Sequence, residues 1–331
     1  MPQATPRLID VASSEKWWSM PMMLSRRHTL GLLAGSLLTA CAGDGAARKG
    51  KLFVGDQRGG SRVVLQGAKR LDDVPYEIIW SQFPNAAPLL EALNAGAIDS
   101  GIGGDSAFIF AAGTDAKIKA IGAQATRGMG PVVLVRRDSP IRSLADLAGH
   151  KVATPRGSIS HNHVLAVLEA YDQPYDTVNF AFLSPSDGRA ALQSGAVDAW
   201  AIWDPNAAMA EQDGARILPG KQHLVPGYGL MFGREGAIAD KRALLQDYHD
   251  RLYAGWRWAA RNRDAYVALM HKDTGLALDI LRIMQRRADR FPAKVDDALI
   301  AQQQATADRY FRAKVIDRKL DVRPLFNTSF S

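Results

Sequence analysis

The residues best equipped for chemistry stand in Arg156-Gly-Ser-Ile-Ser-His-Asn-His163, directly after the short apolar run Lys151-Val-Ala-Thr154. A Gly-Ser turn on the first turn of a helix presents unpaired backbone N–H groups and a hydroxyl as donors at the positive end of the helix dipole. That is an anion site in outline, built on Gly157 and Ser158; the plainer alternative is that Ser158 or Ser160 only caps the helix. His161 and His163 are two apart on that helix, so they do not face each other and make no metal pair. Two aspartates, Asp105 and Asp204, each close an apolar strand and precede an apolar helical run, where a carboxylate caps free N–H groups. Trp203 sits beside the second of them, either as a wall for an apolar tail or as a core ring. Trp200 points to the other side of an alternating strand and is the better core candidate. The sequence has no Ser-His-Asp, zinc or P-loop signature, and its one cysteine, Cys41, lies far from these residues.

A repeated unit positions the two aspartates. Leu93-Asn-Ala-Gly-Ala-Ile-Asp-Ser-Gly-Ile-Gly-Gly-Asp-Ser106 is echoed by Leu192-Gln-Ser-Gly-Ala-Val-Asp-Ala-Trp-Ala-Ile-Trp-Asp-Pro205, aligning Gly96 with Gly195, Asp99 with Asp198 and Asp105 with Asp204. In each copy a helical run stops at a glycine suited to the left-handed C′ position, and a short strand follows. Two similar strand-helix units predict two similar lobes. Strands alternate with helices from Lys51 onward, which predicts an α/β architecture with a mostly parallel sheet flanked by helices in each lobe. Ligands of such sheets sit at the carboxyl ends of the strands, so Gln57, Gly104 and Asp105 should share one edge. Pro131–Arg136 reads as a crossing to the second lobe and Gly227–Gly233 as the return, which makes the first lobe discontinuous: residues 51–136 and 234–331, with 137–233 as the second lobe. From Asp240 to Ala313 the pattern is helical and Ala-rich, with no visible strand.

At 331 residues, 47% hydrophobic and 23% charged, the chain has the composition of a soluble globular protein of one large or two medium domains. The net charge of +7 is concentrated: from Asp240 onward 18 basic residues face 12 acidic ones, all aspartate, whereas 41–239 is close to neutral. Arg282, Arg286, Arg287 and Arg290 form one cluster. No aromatics interleave with the basic run and no recognised binding motif accompanies it, so it reads as a solvated helical face and nucleic acid is not an expected partner. Residues 1–40 read as an export signal. Arg26-Arg27 is followed by the uncharged run Leu30–Ala40, too short to span a bilayer, and then by Cys41. Leu38-Thr39-Ala40-Cys41 resembles the lipobox of bacterial lipoproteins, in which the signal is cut before a cysteine that carries lipid; the alternative is a small buried hydrophobe at Cys41. Ser25-Arg-Arg-His-Thr-Leu30 resembles a twin-arginine motif with Thr29 where an aromatic is usual. Met22 or Met23 fits the start of such a signal, and residues 41–50 are a tether.

The chain from Leu52 to Pro324 is similar to the aliphatic-sulfonate substrate-binding proteins of ABC importers. The resemblance rests on Phe83-Pro84 with Leu89-Leu-Glu-Ala-Leu-Asn94, Arg156-Gly-Ser-Ile-Ser-His-Asn162, Asp198-Ala-Trp-Ala-Ile-Trp-Asp-Pro205 and Gln302-Gln-Gln-Ala-Thr-Ala-Asp308. It implies the two-lobed periplasmic-binding fold of the second type, a hinged trap. It further implies a cleft lined by Gln57, Gly104, Asp105, Gly157, Ser158, Ile159, His161, Trp203 and Asp204. The implied activity is capture of an organosulfonate outside the cytoplasm and delivery to a membrane permease, for sulfur acquisition, with no catalysis, cofactor or metal. The protein would sit in the periplasm or on the outer face of the cytoplasmic membrane, held by lipid on Cys41. Two departures touch the cleft: Asp56-Gln57-Arg58 stands where the family commonly has Tyr-Gln-Lys, and Ala123-Gln124-Ala125 where it commonly has a Glu. A nitrate, taurine or other small-anion binder on the same fold is the nearer alternative. A thiamine-pyrimidine-synthase-like enzyme is the remote one, and its cysteine-rich motif is missing here.

Overall fold

Gly96 and Gly195 both end their helices in the left-handed conformation, with φ of 77° and 78°, so the repeat seen in the sequence is a repeat of backbone. In both copies the aspartate three residues later ties the new strand to its neighbour. Asp99 Oδ2 accepts from Phe53 N at 3.0 Å, and Asp198 Oδ2 accepts from Lys151 N at 2.8 Å.

The computed structural model describes residues 50–114, 116–225 and 227–330. Arg26-Arg27, Leu30–Ala40 and Cys41 lie outside the described residues. The chain runs through β1 (Lys51–Asp56), α1 (Ser61–Gly67), β2 (Glu77–Gln82), α2 (Ala86–Asn94), β3 (Ser100–Gly104), α3 (Asp105–Ala112), β4 (Ile118–Thr126) and β5 (Val132–Val135). It continues with β6 (Lys151–Thr154), α4 (Ile159–Ala170), β7 (Asn179–Phe182), α5 (Pro185–Ser194), β8 (Ala199–Ile202), α6 (Asn206–Gln212), β9 (Arg216–Ile217) and β10 (Tyr228–Arg234). Five further helices and a strand close it: α7 (Glu235–Asp240), α8 (Arg242–Arg261), α9 (Arg263–Thr274), α10 (Leu278–Ala288), β11 (Arg290–Ala293) and α11 (Asp297–Arg312).

Two sheets result, a six-stranded one in the order β11-β4-β10-β3-β1-β2 and a five-stranded one in the order β7-β6-β8-β5-β9. Each has a parallel core, β2-β1-β3 in the first and β7-β6-β8 in the second, extended by antiparallel strands. Two segments read from the sequence as crossings are full strands. Val132–Val135 pairs with β8 and β9 in the second sheet, and Tyr228–Arg234 is inserted between β3 and β4 in the first. The chain therefore changes sheets before β5 and again before β10. The C-terminal third, expected to be helical throughout, contributes β11, which pairs with β4 from Thr126 to Ala123. Its Pro292 lacks an N–H and fits an edge strand, which is where β11 lies.

Apolar runs fill both halves. Leu52, Val54, Leu65 and Tyr248 are fully buried on one side of the six-stranded sheet, Phe108, Phe232 and Tyr310 on another, and Val133, Val152, Val167 and Ala201 in the five-stranded half. Trp200 is completely buried, as expected of a core ring, but β8 does not alternate: Ala199, Trp200, Ala201 and Ile202 are all buried, and Trp203 lies just past its end.

Candidate functional site

The carboxyl ends of the parallel strands from both sheets meet across a cleft of about 380 Å³. Gln57, Gly104, Ser158, Ile159, Trp203 and Asp204 line it together. Three other expected site residues do not: the Asp105 carboxylate, Gly157 and His161 all face away from it.

Ser158 is the N-cap of α4, its Oγ accepting from His161 N at 3.3 Å. Capping and lining the cleft are thus not alternatives, since the same residue does both. Ser160 is wholly buried inside the helix. Gly157 has φ of 67°, and a Cβ there would lie 2.3 Å from Phe110 Cγ, so its missing side chain makes room for α3 of the other half rather than for a ligand. Tyr310 Oη donates to the carbonyls of Gly157 and Ser158, 3.0 Å from each, fixing the turn from behind. His161 is held by Gly157 N, which donates to its Nδ1 at 3.2 Å; burial pushes the imidazole down to about 4, with Arg156 adding to the effect, so the ring is neutral. His163 is likewise pushed down to about 4 by burial, and neither ring nitrogen has a partner among the described residues.

The two strand-end aspartates differ. Gly104 is the N-cap of α3 and Asp105 its first residue, 1% exposed. Its Oδ1 accepts from Ser106 N at 2.6 Å, and its Oδ2 from Tyr228 N at 3.2 Å and Gln303 Nε2 at 3.1 Å. Burial raises its pKa to about 6 against the pull of those donors. Asp204 lines the cleft, where its Oδ1 accepts from Ala208 N at 3.0 Å and meets Arg287 Nη1 at 3.3 Å. Burial raises its pKa and Arg287 opposes the rise. The peptide between Asp204 and Pro205 is cis.

Gln57 Nε2 donates to Ile102 O at 3.0 Å, which braces the ends of β1 and β3 at the cleft floor. Asp56, in the first departure from the family pattern, borders the cleft but is 3% exposed, and its carboxylate is engaged by the start of α1, accepting from Ser61 N and Ser61 Oγ at 2.8 Å each. Gln124, at the second departure, lines the cleft directly.

Further lining residues carry no sequence signal of a ligand contact, Arg156 apart, which heads the Gly-Ser turn. Arg58, Arg156, Arg263 and Arg290 give the wall more cationic than anionic side chains, the latter being Asp56, Asp204 and Asp289. Trp256, Tyr266, Met270, Leu281 and Met284 from α8–α10 extend it into an apolar annex. The sequence pattern places Arg287 on a solvated face, yet its side chain is 21% exposed and crosses from α10 to Asp204 and to Glu211 Oε2, 2.5 Å away. Nothing local distinguishes it from Arg286; only the packing of α10 against α6 selects it. Among the described residues, no group of His, Cys, Asp and Glu could hold a metal, and no helix is long and apolar enough to cross a membrane.

Two halves facing each other across a cleft that holds four arginines against three aspartates and is apolar along one side is an arrangement with known relatives. A family model described as NMT1/THI5 like matches residues 80–265. The chain belongs to the NMT1/THI5-like family. Within it, an aliphatic sulfonates-binding protein of Escherichia coli strain K12 is 33% identical over 277 residues, covering 82% of this chain and 87% of that protein. The alkanesulfonate-binding protein SsuA from Xanthomonas axonopodis pv. citri, solved bound to MOPS, superposes with a TM-score of 0.77 at 30% identity over 85% of this chain and 99% of that one. The periplasmic aliphatic sulphonate binding protein SsuA from Escherichia coli gives 0.70 at 30% identity, over 82% and 90% of the two chains. The fold expected from the sequence, two sheet-based lobes of the periplasmic-binding kind, is the observed one.

Proposed function

We propose that this NMT1/THI5-like protein is the extracytoplasmic substrate-binding component of an ABC importer and captures an organosulfonate in the cleft between two lobes. One observation carries the reading: Gln57 and Gly104 from one half and Ser158 and Ile159 from the other line a single cleft that also holds Arg58, Arg263 and Arg290 and, along one side, an aromatic and aliphatic annex. A sulfonate spreads one charge over three oxygens and needs several oriented donors, each charge-assisted bond contributing about 1.5–3 kcal/mol. Trp203 and the α8–α10 annex suit a carbon tail, at about 25 cal/mol for each square ångström buried. The lobes are the six-stranded half, residues 51–126 with 228–330, and the five-stranded half, residues 132–218, and they rotate about the two connections between them. The closed form is what the permease reads. Gln57, Gly104, Ser158, Ile159, Trp203 and Asp204 contact the ligand; Asp105, Gly157 and His161 hold the walls in place. The relatives named above are binding proteins, which supports a carrier without catalysis. Cys41 carries the lipid that anchors the chain to the membrane. Stable anchoring takes two acyl signals.

A thermal-shift panel of ethanesulfonate, hexanesulfonate, a benzenesulfonate, taurine, sulfate, nitrate and hexanoate tests the reading. The sulfonates with a carbon tail should stabilise the protein most, and hexanoate less than hexanesulfonate because it offers one acceptor oxygen fewer. Nitrate or sulfate outranking every sulfonate would move the protein to the small-anion class. Cys41→Ser should convert a membrane-bound protein into an uncleaved or freely soluble one; wild-type protein without lipid would remove the anchor from the proposal.

A further inference from the structure

A second cavity of about 430 Å³ opens between β7 and the C-terminal end of α11, on residues that the cleft does not use apart from Arg156. Its volume falls in the range of about 300–1,000 Å³ common for small-molecule sites. One wall is aromatic. Phe180 and Phe182 lie 5.7 Å apart with rings 3° from parallel, and the His161 ring stands edge-on to both, at 4.8 and 5.1 Å. Phe182 is 44% exposed, one of the few large apolar side chains among the described residues left so open.

The other wall is cationic. Arg156 reaches in from the α4 turn, its guanidinium 5.4 Å from the Phe182 ring centre, and Arg312 and Lys314 come from the end of α11. Neither Arg156 nor Lys314 has an ion-pair partner among the described residues, while Arg312 is engaged by Glu169 at 2.5 Å. Asp176 is the carboxylate at the rim. His161 adds a directed donor: with Nδ1 accepting from Gly157 N, the neutral ring carries its proton on Nε2, which has no partner among the described residues. That ring is 2% exposed and lines the cavity. An unpartnered N–H on a ring that lines the cavity, beside stacked rings and two cations without ion-pair partners among the described residues, defines a ligand chemistry. The rings favour a flat aromatic face, and the cations with Nε2–H favour an anion at its edge.

We infer that this groove is a second ligand site, for a planar aromatic compound carrying one carboxylate or sulfonate, which borders the cleft and shares only Arg156 with it. The ring stacks on Phe182 and Phe180, and the acid group lies between Arg156, Lys314 and His161 Nε2.

The test is calorimetric titration of 2-naphthoate, a carboxylate chosen because the cleft favours sulfonates, into the full chain, a Phe182→Ala/Lys314→Glu variant and a Trp203→Ala variant. Both groove positions are at the surface, and circular dichroism melts verify that the variants fold. The groove variant should bind 2-naphthoate at least about tenfold more weakly, with hexanesulfonate binding unchanged. Trp203→Ala should leave the 2-naphthoate event where it was. An event lost in Trp203→Ala but kept in the groove variant would place the ring in the cleft and overturn the proposal. So would the absence of 2-naphthoate binding to the wild type, or sedimentation showing that Phe182 instead mediates self-association. Failure of the sulfonate panel leaves this test intact, because the probe and variants differ.

Discussion

The two copies of the repeat share sequence and backbone, yet their aspartates have different lives. Asp99, in the first copy, is buried and bonded by Lys241 Nζ at 2.6 Å and Arg234 Nη2 at 3.0 Å in addition to Phe53 N. Its counterpart Asp198 keeps the strand contact but is half-exposed, with His150 as its one ion-pair partner among the described residues. Asp105 is sealed under β10 and α11 without a cation, whereas Asp204 looks into the cleft and is met by Arg287. The difference teaches that the motif encodes a turn and a strand anchor. Burial, charge partner and role come from what packs above each copy: α7, α8, β10 and α11 over the first, α10 at arm's length over the second.

The comparison breaks most sharply at the strand anchors. Asp99→Ala leaves two cations and a backbone N–H short of their acceptor and should destabilise the protein by about 3 kcal/mol or more, whereas Asp198→Ala should cost about 1 kcal/mol or less. Chemical denaturation of the pair measures both, and equal losses would mean that the two copies are energetically alike. The glycines at the two sides of the cleft come next. Gly157→Ala puts a methyl against Phe110 at a left-handed φ and should cost about 2 kcal/mol; Gly104→Ala meets nothing within 4 Å and should leave stability within about 0.5 kcal/mol while narrowing the cleft. Melting curves and hexanesulfonate titrations on the same samples separate these effects.

Titration sharpens the contrast between Asp105 and Asp204. A carboxyl with a folded-state pKa of about 6 against an ordinary 3.8 is a group the folded state protonates more readily than the unfolded state does. Its contribution is therefore full below the unfolded value and declines as pH rises through about 6. Wild-type stability should fall across that window through this residue, and Asp105→Asn should flatten the fall. A variant with the wild-type slope would show that Asp105 is ionised throughout. The smallest effect is expected at Arg287. Arg287→Ala removes a partly exposed cross-cleft pair and leaves the Asp204 charge facing an anionic ligand, which should weaken sulfonate binding about fivefold with little change in melting temperature. An Asp204→Asn/Arg287→Ala double variant should recover part of that loss.

Much of the fold was legible in the sequence because its signals are local. Glycines at 96 and 195 and the Ser158 cap each depend on a few neighbouring residues whose φ or capping allows one outcome. The order of strands and helices, itself a run of local signals, pointed to parallel cores and to the strand ends that bear Gln57, Gly104, Ser158 and Trp203. What the tertiary structure decided is which of these faces a ligand. β10 enters the first sheet antiparallel between β3 and β4, and it brings Tyr228 N onto Asp105, turning an expected cleft carboxylate into a buried one. α3 places Phe110 against Gly157, and Tyr310 of α11 holds that turn from behind, so His161 faces a second cavity. β11 forms because the edge of β4 is free to pair, and Arg287 reaches Asp204 because α10 lies beside α6. Such contacts join residues tens to hundreds of positions apart, and no local period, cap or spacing encodes them.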